Sequence, residues 1–134
     1  MTNEELLRLY ETLNRITNNK DLVFPIKIGY YFAKNKAAIR EEAMLIYTTR
    51  QEIMLKYGEL QENGDIIVQK QDIKDMKKEL DEIMKIQNNT PITQILITDF
   101  DKSQLPLEDI EGLMPILQEP WITGPPIFEN NTGD

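Results

Sequence analysis

Asp99, Asp101 and Ser103 stand at alternate positions, the spacing at which an EF-hand loop presents its first oxygen ligands to calcium. That loop also needs a glycine at its sixth position and a glutamate at its twelfth. Gln104 and Ile110 occupy those places, so no calcium loop is predicted. Further carboxylates are grouped as Glu41-Glu42, Asp81-Glu82 and Glu108, Asp109 and Glu111. Such groups support metal-assisted phosphoryl transfer or glycoside cleavage when they converge on a cleft. Most of these fall on helix faces expected to meet solvent, and none adjoins a glycine-rich loop.

The chain has no histidine and no cysteine. That removes the commonest general base, thiolate nucleophiles, disulfides and Cys- or His-type metal sites. Walker A, G-x-G-x-x-G and G-x-S-x-G patterns are missing too. The reading is a non-enzymatic protein with no catalytic residue, no metal ligand and no cofactor.

Charge points instead to surfaces. The net charge of −8 is uneven: nine basic residues against seven acidic before Gly58, and six against sixteen from Gly58 on. An acidic end repels nucleic acid and attracts a basic surface. The candidate partner-binding residues there are Asp99, Asp101, Glu108, Asp109 and Glu111, with Trp121 and Phe128 on a proline-rich arm. Each large side chain of that arm gains ~1.5–3 kcal/mol on burial, so the arm is expected to dock, on its own domain or on a partner. Lys27, Lys34, Lys36 and Arg40, with Tyr30 and Tyr31, form a local basic and aromatic patch of the kind that phosphates and bases require. Overall acidity, and Phe32 and Ile39 on the same helix, weigh against nucleic acid. A basic surface meeting an acidic surface of a neighbouring subunit explains the patch as well.

Several elements must position these groups. Thr2-Asn3-Glu4-Glu5 has the form of a capping box and predicts a helix from about Asn3 to Asn18-Asn19. From Gly29 to Tyr57 nothing breaks a long helix. Its apolar stripe reads Ile28, Phe32, Ile39, Ala43, Ile46, Ile53 and Tyr57, with Met44, Leu45, Tyr47, Met54 and Leu55 predicted to widen it. A wide stripe marks a central scaffold helix packed on more than one neighbour. Lys36 and Arg50 lie in the stripe as snorkelling cations. Gly58 is placed to end the helix as a C′ glycine, and Asn63-Gly64 predicts a hairpin returning through Ile66-Ile67-Val68. Asp72 opens a third helix. Ile92–Thr98 reads as a strand joining the hairpin in a small sheet. Leu107–Leu113 reads as a short helix entered through Pro106.

The order of these features resembles a family of small phage and prophage proteins from Gram-positive bacteria. Its members carry an N-terminal helix, a P-x-K-x-x-Y-x-x-x-K-N entry, a long helix ending R-x-x-x-x-x-K-Y, then a D/E-N-G hairpin and an acidic helix. The matching residues are Pro25, Lys27, Tyr30, Lys34, Asn35, Arg50, Lys56, Tyr57, Asn63 and Gly64, and the resemblance covers roughly residues 5–117. The family brings no assigned activity. What it implies is a viral setting.

The resulting expectation is one α+β domain over residues 1–117, mostly helical: three main helices around one long central helix, with a small antiparallel sheet. An extended C-terminal arm follows over residues 118–134. The leading function is a phage-encoded protein-binding factor, an inhibitor of a host defence system acting through its acidic surface. The alternatives are a virion or assembly component that oligomerises, and a nucleic-acid-binding accessory protein. The partner is a host defence protein, another phage protein or further copies of this chain. No apolar run approaches the ~18 residues of a membrane span, and the acidic N-terminus is unlike a secretory signal. The expected location is the host cytoplasm, or the virion for a structural protein.

Overall fold

The computed structural model describes residues 1–118. The chain is α+β and mostly helical, with α1 (Asn3–Asn18), α2 (Ile26–Tyr57), β1 (Gly58–Leu60), β2 (Ile66–Val68), α3 (Ile73–Met84), β3 (Ile95–Leu96), α4 (Leu107–Leu113) and β4 (Leu117–Gln118). The arm residues Trp121 and Phe128 lie outside the described residues.

The capping box forms as the sequence demands. The Thr2 hydroxyl accepts from the Glu5 N–H at 3.2 Å, and the Glu5 carboxylate accepts from the Thr2 N–H at 2.8 Å. Losing such a cap costs a helix about 1 kcal/mol. Leu6, Leu9, Leu13 and Ile16 are buried, and so are Leu7, Tyr10 and Thr12. This breadth follows from position, because α1 has α2 on one flank and α4 on the other.

At 32 residues, α2 is ~48 Å long. Its buried line is Ile28, Phe32, Asn35, Ile39, Ala43, Ile46 and Ile53. Of the five residues predicted to widen the stripe, Tyr47 and Met54 are half-buried. Met44, Leu45 and Leu55 are exposed, Leu45 at 59%. The buried face is therefore a seam. Lys36 and Arg50 are half-buried in or beside it, as snorkelling requires.

Gly58 ends α2, but in extended backbone (φ −133°, ψ −179°) as the first residue of β1. Its glycine is explained by crowding: a Cβ there would stand 2.7 Å from the Ile67 carbonyl and 2.8 Å from methyls of Ile66 and Val68. The left-handed position is Gly64, at φ 92°, whose N–H donates to the Gln61 carbonyl at 3.0 Å. β1 and β2 pair antiparallel with Glu59 opposite Ile67. Beyond them α3 covers the end of α2. Asp72 precedes α3 without a side-chain capping bond.

The chain then returns to its start. The Asn3 N–H donates to the Ile86 carbonyl at 2.9 Å, and the Asn88 N–H donates to the Met1 carbonyl at 2.7 Å. The strand read over Ile92–Thr98 shrinks to Ile95–Leu96, which pairs in parallel with β4, Ile95 opposite Leu117. It does not join the hairpin. Thr93 hydrogen-bonds Asn35 in the first third of α2, whereas the hairpin starts at Gly58. Twenty-three helical residues separate the two places by ~35 Å. Phe24, Phe32 and Phe100 fill the space under this return, with ring centroids 5.1–5.9 Å apart and edges meeting faces.

Candidate protein-binding surface

Three of the five acidic residues singled out by sequence are engaged within the fold. The Asp109 carboxylate is buried against α1, 2.5 Å from the Arg15 guanidinium. Glu111 meets Arg8 of α1 at 3.2 Å, both half in solvent. Asp101 caps its own turn, accepting from the Ser103 N–H at 3.0 Å and its hydroxyl at 2.5 Å. The Ser103 hydroxyl first, and its N–H second, hold the Asp101 carboxyl below its ordinary range. Asp99 and Glu108 are exposed. Two carboxylates of the five thus fasten α4 to α1 and a third orders a turn. Among the described residues no three His, Cys, Asp or Glu side chains converge as a metal site would require.

The basic patch is divided. Lys27 and Lys34, seven residues apart, stack along one edge of α2. Lys27 lies 5.8 Å over the Tyr31 ring. Lys36 and Arg40 lie on the other edge, beside α1, where they line a shallow groove with Thr17, Ala33 and Ala37. The Lys36 ammonium donates to the Thr17 hydroxyl at 3.4 Å.

Between these two edges runs the feature that the sequence reading missed. Ile26, Tyr30, Ala33, Ala37, Met44 and Leu55 recur at helical spacing on the side of α2 turned away from the core, and all are exposed. Ile26 is 93% and Tyr30 60% accessible. The signal was present in the sequence as a second apolar line half a turn from the first. Read together, the two lines look like one wide stripe; only the packing of α1 and α3 on the same side separates them. Val23 precedes the line, and Leu60 and Ile67 of the hairpin follow it, also exposed. Exposed Arg40 and Glu41 interrupt this line, and so do exposed Thr48 and Gln51, so it presents apolar groups separated by polar ones; such groups mark a contact surface where they gather into a patch.

A second cluster serves the fold. Tyr57 and Lys56, at the end of α2, both donate to Glu79 of α3, Lys56 at 2.9 Å. Tyr57 first and Lys56 second hold the Glu79 carboxyl below its usual range. Tyr47 donates to Glu11 at 2.6 Å. Burial, then that bond, push its phenol up to about 12. Each of these tyrosines joins two helices, Tyr57 linking α2 to α3 and Tyr47 linking α2 to α1.

No protein-family model, curated protein or solved structure matches the chain. Among the described residues no helix is long and apolar enough to cross a membrane.

Proposed function

We propose that this chain is a non-enzymatic protein-binding factor that acts through the outward face of α2. The observation that carries this reading is the set of exposed apolar side chains between Ile26 and Leu55, on the side of α2 opposite its buried seam. A helix face of this kind recognises another protein surface by apolar anchors at i, i+4 and i+7, with flanking charges setting register. The acidic end is a lesser candidate, because Arg8 and Arg15 already engage two of its carboxylates. The resemblance to small phage and prophage proteins sets the binding in a Gram-positive host, where the target is a host defence protein or another phage protein.

The test is capture from the cell that expresses the chain, comparing the tagged protein with its Leu45→Glu and Tyr30→Asp variants. Both positions are exposed, so circular dichroism should be unchanged. Loss of the captured protein in both variants supports the reading. Equal capture by all three would move the binding surface elsewhere.

A further inference from the structure

The exposed apolar residues of α2 gather toward its two ends. Val23, Ile26 and Tyr30 stand at one end, and Leu55, with Leu60 and Ile67 of the hairpin, at the other. Ala33 and Ala37 keep the stretch between them low, and Met44 and Leu45 lie near the middle. We propose that a second copy of the chain covers this face, the two α2 helices running antiparallel about a two-fold axis level with residue 43. This rests on the reading of the α2 face as a protein-binding surface and names its occupant.

Charge fixes the arrangement. Lys34 and Glu52 are eighteen residues apart, five whole turns at 3.6 residues per turn, so they share one edge of the helix. Lys27 shares that edge, and Glu59 follows just beyond the helix end. A two-fold antiparallel pair sets each edge against the same edge of the other molecule, running the opposite way. Lys34 then comes level with Glu52 of the second copy, and Lys27 with its Glu59. Both pairs are symmetric about residue 43, so a single register satisfies both. In that register Tyr30 comes level with Leu55 of the second copy and Ile26 with its Leu60, while Met44 and Leu45 approach their own counterparts across the axis. A parallel pair would instead set the Lys27 and Lys34 edge of one copy against the Lys36 and Arg40 edge of the other, cation against cation, which is repulsive. Among the described residues none of Lys27, Lys34, Glu52 and Glu59 is engaged in an ion pair.

The experiment is sedimentation equilibrium of the full chain at low salt, with charge-reversal variants. Wild type should show twice the 15.7 kDa chain mass. Lys34→Glu and Glu52→Lys, each altering two symmetric contacts, should each weaken association about tenfold or more, and salt should diminish the difference. The double variant should recover the dimer. Mixing the two single variants should give a heterodimer, since one chain then offers only acidic and the other only basic side chains at these places. Leu45→Glu should dissociate the dimer. A wild type that stays monomeric at about millimolar concentration overturns the pairing, as does a double variant no better than the singles. Cellular capture separates the two ideas. A monomer whose Leu45→Glu variant still loses its captured protein leaves the protein-binding reading standing, whereas a monomer with unaltered capture removes both.

Discussion

The side-chain amide of Asn35 grips Thr93 by both backbone groups, donating to its carbonyl at 3.0 Å and accepting from its N–H at 2.7 Å. Asn35 is only 1% exposed and interrupts the apolar line between Phe32 and Ile39. It pairs with Thr93 as a neighbouring strand would, and so anchors the return segment where no strand is available. Asn35→Leu should fit the seam by shape yet leave the Thr93 N–H and carbonyl without partners, at a cost of about 2–4 kcal/mol. Chemical denaturation measures this, and amide exchange at Thr93 should quicken well beyond that at neighbouring residues. An unchanged Thr93 exchange rate would remove the grip from the account.

What the sequence made legible, and what it concealed, follows from range. The capping box at Thr2, the turn at Asn63-Gly64 and the ends of α1 and α2 are fixed within a few residues of chain, and the pattern locates them. Asn35, Asp109 and the parallel pairing of Ile95 with Leu117 depend on partners 58, 94 and 22 positions away. A polar residue inside an apolar stripe, or a carboxylate at a short helix, looks solvent-facing until its partner is known. The α2 surface was hidden for a different reason: two apolar lines on opposite sides of one helix sum to a stripe that looks wide.

Gly112 should tolerate no side chain. A Cβ there would strike the Thr12 hydroxyl and lie 3.0 Å from the Thr12 Cβ. Thr12 is buried, and its hydroxyl is committed to the Arg8 carbonyl at 2.7 Å. Gly112→Ala should therefore destabilise by about 1–3 kcal/mol through overpacking of α4 on α1. Adding Thr12→Ala removes the hydroxyl and methyl but leaves the Cβ, so it should restore part of that loss. A double-mutant cycle measures the coupling; strict additivity would mean that α4 does not approach α1 here.

The two ion pairs between α1 and α4 should differ in weight. Arg8 and Glu111 are both half-exposed, and Glu111→Gln should change stability by less than about 0.5 kcal/mol. Asp109 is buried beside Arg15, so Asp109→Ala should cost more, about 1–3 kcal/mol, by removing a charge-assisted hydrogen bond. Thermal unfolding of the two variants ranks them. Equal losses would imply that Asp109 is as well solvated as Glu111.

Glu79 should report the junction of α2 and α3. Its carboxyl is held low by the Tyr57 hydroxyl and then by Lys56. In the unfolded chain it returns to the ordinary carboxylate value, so its contribution is present in full above that value. The contribution is lost as pH falls through the folded value, where protonation abolishes the acceptor. Tyr57→Phe should raise the Glu79 titration midpoint toward the ordinary range, as read by carboxyl-carbon NMR. No movement would place the cause with Lys56 instead.

Tyr47 gives the opposite pH limb. Burial and the bond to Glu11 push its phenol up to about 12, from an ordinary 10.0. Between those values the folded chain keeps a proton that the unfolded chain has released. Unfolding therefore releases a proton, and stability must fall as pH rises through this window, while below the ordinary value the contribution is complete. Tyr47→Phe removes the ionisable group, so its unfolding free energy should fall less steeply between about pH 10 and about pH 11.5 than that of the wild type. Denaturant titrations across that range measure the difference. A variant with the same slope as the wild type would mean that Tyr47 ionises as readily in the fold as in the open chain, and that the α1–α2 contact it makes with Glu11 does not hold its proton.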